Sequence, residues 1–222
     1  MPDFKSNPAA VRPTSATPTV LLAEGLCLRF PQRELFTNLS LRIPPGVSLV
    51  RGGESTGKST LLRLFAGVQS ADRGLLEIKG ASLRDQPDAY RGQVFWTDAR
   101  SDAFDKVTVA SYLQSQRQLH AGFDGTKLAT LVEGLSLTPH RDKPLYMLST
   151  GSRRKVWLAA AFASGAAVTL LDDPFAALDS ASVRFVHKLL ADAERDTARA
   201  YVVAHYEAPE NVPLAATIDL GD

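Results

Sequence analysis

The stretch RGGESTGKSTLLRLFAG, residues 51–67, restricts the folds open to this chain more than any other segment. Gly52, Gly57, Lys58 and Ser59 fit the spacing G-x-x-x-x-G-K-[ST], with the apolar run VSLV before it and the helix-spaced run TLLRLFAG after it. A backbone this bare can turn consecutive N–H groups inward, and a helix starting at the same place adds its partial positive charge. The result is a cradle for phosphate oxygens. Gly52, Gly53, Glu54, Ser55, Thr56, Gly57, Lys58, Ser59 and Thr60 are therefore the candidate nucleotide-binding loop. Lys58 is placed to reach the β- and γ-phosphates, and the Ser59 hydroxyl to ligate the Mg²⁺ that bridges them. A glycine-rich turn capped by hydroxyls is the bland alternative, and the strand before and helix after argue against it.

A strand–loop–helix unit of this kind needs a sheet to hold it, and the chain carries the pattern. VLLAEGLCLRF (20–30) and LSLRIPPGVSLVRG (39–52) read as strands punctuated by Pro and Gly, forming a small sheet at the start. AVTLLDD (167–173) and RAYVVAHY (199–206) are short apolar runs with an acid or imidazole at the carboxyl end, as expected of buried parallel strands. Between them lie helical patterns: KSTLLRLFAGV, the stretch near 107–136, SRRKVWLAAAFASG, and SASVRFVHKLLADAERD with Val183, Val186, Leu189 and Leu190 on one face. The alternation implies an α/β core with ligands beyond the carboxyl ends of its strands.

Composition narrows the partners. With 25 basic and 24 acidic residues the net charge is +1, which argues against a nucleic-acid partner. The single cysteine, Cys27, rules out an internal disulfide and suits the cytoplasm. No run approaches the roughly 20 apolar residues of a membrane span, so any membrane role is expected through a partner. Residues 1–18, with four prolines, are expected to be a disordered leader.

Two further segments carry chemistry. VTLLDD ends in Asp172, suited to hold Mg²⁺ through water, and Asp173, suited to orient or deprotonate an attacking water. Asp173 precedes Pro174 and could equally cap the next turn. In LSTGSRRK (148–155), Ser149 and Gly151 lead into a helix, and taken alone the segment is a helix N-cap.

In order and spacing these segments resemble the nucleotide-binding subunit of an ATP-binding cassette (ABC) transporter, over nearly everything from about residue 20. The family's phosphate loop matches GGESTGKST, its signature LSGGQ corresponds to LSTGS, its magnesium strand and acid to LLDDP, and its D-loop to ALD at Ala177–Asp179. Its switch histidine falls on His205. Phe30 matches the aromatic that stacks on adenine, with core packing as the rival reading. The resemblance implies an α/β P-loop NTPase (RecA-like) core with an antiparallel β subdomain and a small α-helical subdomain of about 97–155, the whole spanning 19–222. It implies ATP and Mg²⁺ as cofactors, with Asp173 and His205 catalytic, Ser59 and Asp172 at the metal, and Phe30, the loop 52–60, Ser149, Gly151 and Asp179 at the nucleotide.

The same resemblance implies a head-to-tail dimer in which each signature closes on ATP held by the other subunit. One phosphate loop and one signature per chain point to a second ABC subunit, here a homodimer. They also point to an integral membrane permease driven at the cytoplasmic face of the membrane. LSTG and the short length look like export-type subunits. Three departures stand out: Asp173 where the family has glutamate, Thr150 where it has glycine, and no clean match to the glutamine at the end of the strand QVFW. Gln93 falls early, leaving Thr97 or Asp98 as replacements. The altered acid and signature keep open a non-transport or regulatory ABC ATPase with weak hydrolysis. A small-molecule kinase would not account for LSTGS followed by LLDDP and ALD.

Overall fold

The computed structural model describes residues 18–98 and 101–221. The leader expected at the N-terminus lies outside the described residues except for its last position.

The strand-like opening of the chain forms an antiparallel sheet. Strands β1 (Leu21–Phe30) and β2 (Arg33–Ile43) make a hairpin, and β4 (Arg73–Ile78) and the two-residue β5 (Ala81–Ser82) complete the order β2-β1-β4-β5. The segment LSLRIPPGVSLVRG is divided between two sheets. Its first half closes β2, and after Pro44 and Pro45, which donate no backbone N–H, its second half becomes β3 (Gly46–Arg51).

The second sheet is parallel throughout, in the order β6-β7-β8-β3-β9, with β6 at Val94–Phe95, β7 at Val168–Asp172, β8 at Ala200–Ala204 and β9 at Leu214–Asp219. The central strand β8, AYVVA, is buried at every position because both of its faces are covered. Val202 and Leu170 turn to one face, where α1 (Lys58–Phe65) and the antiparallel sheet pack. Tyr201, Val203 and Leu171 turn to the other, onto α5 (Thr150–Ala163) and α6 (Ser180–Asp192). In α1 the run Leu61, Leu62, Leu64 and Phe65 is fully buried; each such side chain removed from water contributes about 1.5–3 kcal/mol.

Between β5 and β6 lies the one-turn helix α2 (Pro87–Arg91). The stretch near 107–136 is two helices rather than one, α3 (Val109–Leu119) and α4 (Gly125–Gly134). They are capped by Thr108, which accepts from the Ser111 N–H, and Asp124, which accepts from the Lys127 N–H. Both share one apolar core with α5, α6 and the sheet. On α6 the inward face is rotated from the expected one: Ser182, Val186 and Leu190 are buried, while Val183 is only half-buried.

Candidate functional site: a phosphate loop at the carboxyl ends of three strands

The loop from Gly52 to Gly57 leaves β3 between β8 and β9, and α1 begins at Lys58. Gly52 has φ 152° and Gly57 φ 104°, the region where a side chain is strained. A Cβ on Gly52 would also stand 2.7 Å from both the Gly221 carbonyl oxygen and Thr56 Oγ1. The loop is braced from several directions: Thr56 Oγ1 donates to the Gly53 carbonyl at 3.0 Å, and the Gly53 N–H to the Gly221 carbonyl at 3.0 Å. Lys58 Nζ donates to the carbonyls of Gly52 at 2.7 Å and Gly53 at 2.5 Å, so the ammonium is held over the loop. No side chain caps α1 and no acid sits in its first turn. Its N-terminal amides and dipole are therefore left to an anion.

The remaining site residues arrive through sheet register. Asp172 pairs with Ala204, and Ala204 with Val50, so the carboxyl ends of β7, β8 and β3 form one row. Just beyond that row stand Asp173, His205 and the phosphate loop. The Asp173 N–H donates to the Ala204 carbonyl at 2.9 Å and the His205 N–H to the Val50 carbonyl at 3.1 Å, which anchors both backbones to the strand ends. Asp173 adopts φ 47°, left-handed for a residue with a side chain, and its side chain is 54% exposed. His205 Nε2 lies 3.6 Å from Asp173 Oδ1. His205 Nδ1 has the Glu207 carbonyl at 3.1 Å and the Glu207 N–H at 3.2 Å, so it donates to the one or accepts from the other according to the ring's tautomer.

Asp172, half-buried, and the Ser59 hydroxyl hold no side-chain partner among the described residues. One carboxylate and one hydroxyl, with phosphate oxygens and water, suit the octahedral oxygen preference of Mg²⁺. The donor set fits the ion.

Phe30 is 42% exposed at the end of β1, which removes the core-packing reading. Its hairpin partner Arg33 donates through Nη2 to the Ser55 carbonyl at 2.8 Å, tying this aromatic corner to the phosphate loop. Ser149 is exposed and caps α5, where Oγ accepts from the Ser152 N–H at 3.1 Å and donates to Ser152 Oγ at 3.0 Å. Thr150 opens the same helix with its side chain exposed, so the bulk that replaces glycine there is accommodated. Gly151 is buried, and a Cβ there would collide with the Ala177 carbonyl oxygen. Asp179 caps α6, accepting from the Ser182 N–H at 2.9 Å and Ser182 Oγ at 3.0 Å, and pairs with Lys155 Nζ at 2.5 Å. The Lys155 contact, with those two bonds, holds its carboxyl well below the usual carboxylate range. Both oxygens of Asp179 are thus engaged within the chain.

Gln93 is structural: its amide donates to the carbonyls of Ile78 and Ala89. Thr97, following β6, places its hydroxyl 3.4 Å from that of Tyr112. Sequence reasoning did not single out Arg33, Lys155, Gly221 or Phe175. The Phe175 ring stands edge-on to His187 at 4.7 Å and to His205 at 5.2 Å. No local pattern marks these four, because each acts through a partner distant in the chain.

Residues 36–176 match the family model described as ABC transporter. The chain belongs to the ABC transporter family. It is 33% identical over 180 residues to the "Cytochrome c biogenesis ATP-binding export protein CcmA" of Pseudomonas syringae pv. syringae, covering 80% of this chain and 83% of that protein. It is 32% identical over 210 residues to the "Taurine import ATP-binding protein TauB" of Pseudomonas aeruginosa, covering 91% of this chain and 78% of that protein. Among solved structures, an "ATP binding subunit of ABC transporter" superposes with TM-score 0.76 at 20% identity, over 84% of this chain and 80% of the other. A putative ABC transporter ATP-binding protein from Pyrococcus furiosus does so with TM-score 0.73 at 21% identity, over 90% and 96%. These likenesses agree with the P-loop α/β fold, and the chain is an ATP-binding subunit of the ABC transporter family. Among the described residues no helix is long and apolar enough to cross a membrane.

Proposed function

We propose that this ABC subunit binds Mg·ATP at residues 52–60, closes as an ATP-sandwich dimer with a second copy of itself, and hydrolyses the nucleotide to drive a separate integral membrane permease from its cytoplasmic face. The observation that carries the reading is the division of the site. The phosphate loop, Asp172, Asp173 and His205 gather at the ends of β3, β7 and β8. The signature residues Ser149 and Gly151, by contrast, have no hydrogen bond or ion pair to residues 52–60 among the described residues. A second chain is needed to bring a signature to the nucleotide.

In this mechanism Ser59 and Asp172 would hold Mg²⁺, which would supply neutralisation of phosphate charge. Lys58 leaves the carbonyls of Gly52 and Gly53 for the β- and γ-phosphates, and the uncapped start of α1 donates its amides. Phe30, exposed and fastened to the loop through Arg33, stacks on adenine. Asp173 accepts a hydrogen bond from the attacking water, and the His205 imidazole orients the γ-phosphate. The exposed N-terminus of α5, with Ser149 as its cap, faces the γ-phosphate held by the second subunit. A cleft of about 500 Å³ lined by Trp96, Phe104, Tyr112, Leu119 and Trp157 receives the permease. Because the two relatives above carry an export and an import name at nearly equal identity, the direction of transport is assigned to that permease.

Aspartate at 173 supports a second, related reading, in which turnover is slow and the dimer long-lived, as in a regulatory ABC ATPase. Light scattering with ATP under hydrolysis-blocking conditions tests the proposal. Wild type converts from monomer to dimer, and Ser149→Arg, whose side chain fills the space for the γ-phosphate, stays monomeric. A wild-type chain that ignores nucleotide, or a variant that still dimerises, refutes the sandwich.

A further inference from the structure

The loop that carries Asp173 is strained at both ends and held from outside. Asp173 has φ 47° and Ala177 φ 59°, both left-handed without being glycine. Residues in such conformations persist only where their surroundings over-determine them. At the Asp173 end the hold is the bond to Ala204. At the Ala177 end it comes from one helix, α5, which begins with the signature. Arg154 Nη1 donates to the Ala176 carbonyl, Gly151 packs directly on the Ala177 carbonyl, and Lys155 Nζ meets Asp179 Oδ2 at 2.5 Å. The Lys155 side chain is only 14% exposed, although its partner carboxylate is 55% exposed. The two ends of the loop are joined by overlapping turns, with the Ala176 N–H donating to the Asp173 carbonyl and the Leu178 N–H to that of Phe175. Displacement at Asp179 is therefore passed back to Asp173 through a short, hydrogen-bonded segment.

We propose that Lys155 is a positioning residue for ATP hydrolysis, which through Asp179 clamps the segment 173–179 to the signature helix so that the Asp173 carboxylate stays in register with its substrate. The inference rests on the reading above that Asp173 acts in hydrolysis. It adds that the signature helix and the acid-bearing loop of one chain move as a single body, because three contacts from one face of α5 hold one loop. Asp179 then has two duties in the same chain: capping α6 and receiving Lys155.

The test uses the full-length purified chain. Lys155→Met keeps an unbranched side chain of similar length and removes the charge; Asp179→Asn keeps the cap and removes the ion pair. Each is expected to lower kcat for ATP by about tenfold, since about 1 Å of misplacement costs on the order of 10²-fold. KM for ATP stays within about twofold in Lys155→Met, whose ammonium bonds Asp179 in the parent and makes no hydrogen bond or ion pair to residues 52–60 among the described residues. Lys155→Arg restores most of the rate, and the Lys155→Met/Asp179→Asn double variant is no slower than either single one, as for two partners in one contact. Amide hydrogen exchange of segment 173–179 rises in Lys155→Met. Unchanged exchange, or rate losses that add in the double variant, overturn the clamp. Raised exchange with an unchanged kcat overturns the positioning role of Lys155, while an Asp173→Asn variant at parental kcat would instead overturn the reading of Asp173 on which it rests, and nucleotide binding, followed with a fluorescent ATP analogue, is unaffected by either outcome.

Discussion

Replacing Asp173 by glutamate pits reach against backbone strain, and the two effects are read by different assays. Glutamate carries its carboxylate about one methylene further, roughly 1.5 Å. If the parent aspartate falls short of the attacking water by about 1 Å, the deficit costs on the order of 10²-fold in rate, or about 2.7 kcal/mol at 1.36 kcal/mol per tenfold. Against this, Asp173 sits at φ 47°, a conformation that aspartate and asparagine enter more readily than glutamate. Up to about 1 kcal/mol of extra strain is expected from the exchange. That strain is present in ground state and transition state alike, so it lowers stability without lowering kcat. Asp173→Glu is therefore expected to raise kcat by at least about tenfold, with unchanged ATP affinity, while Tm falls by about 2–4 °C. Asp173→Asn keeps the left-handed conformation and the bond from its N–H to Ala204, so Tm holds, but it removes the charged acceptor facing His205 Nε2 at 3.6 Å and kcat drops. Steady-state phosphate release and thermal melts of the three proteins decide. A glutamate variant no faster than the parent means that the backbone has already moved the aspartate forward, and an asparagine variant at parental speed means that Asp173 only shapes the turn.

Lys58→Ala is expected to abolish ATP binding in a calorimetric titration, since it removes the one ammonium held over the loop by the Gly52 and Gly53 carbonyls; unchanged affinity would remove the basis for the nucleotide site. Gly151→Ala forces a methyl group into the Ala177 carbonyl and should cost about 1–3 kcal/mol in urea unfolding, as overpacked sites do, along with ATPase activity. A stable and active variant would show that α5 and the D-loop are not in tight contact. Burial disfavours the charged form of His187, opposed by Glu210 and reinforced by His205, and burial does the same to His120. Below the ordinary value of 6.5 the unfolded chain then binds more protons than the folded one, so stability is full above that pH, falls as pH drops through the window beneath it, and levels off below the depressed folded values. Melts that do not shift between about pH 7.5 and 5.5 would contradict this. Asp179, depressed instead, withdraws its contribution only in a separate window below its ordinary 3.8.

Whatever depends on neighbours in the chain was legible in the amino-acid sequence alone. The phosphate loop is contiguous, and its glycines, lysine and hydroxyls impose the backbone turn, the helix start and the charge by themselves. The buried strands VTLLD and AYVVA, with polar groups at their carboxyl ends, announce a parallel sheet with a site beyond it, because an all-apolar run must be covered on both faces. The edge strand β9 went unread: half-exposed and paired only with β3, it has no apolar run to mark it, yet it carries Asp219 to Arg51, 168 positions away, and Gly221 to Gly53. Strand order and register were likewise beyond reach, and they alone set Asp172, Ala204 and Val50 in one row. The left-handed backbone of Asp173, the Arg33 contact with Ser55 and the Lys155 hold on Asp179 belong to the same class. Each is a contact between segments whose separation in sequence carries no periodic signal. Local chemistry thus named the groups proposed to meet the nucleotide, and tertiary packing decided which distant side chains hold them still.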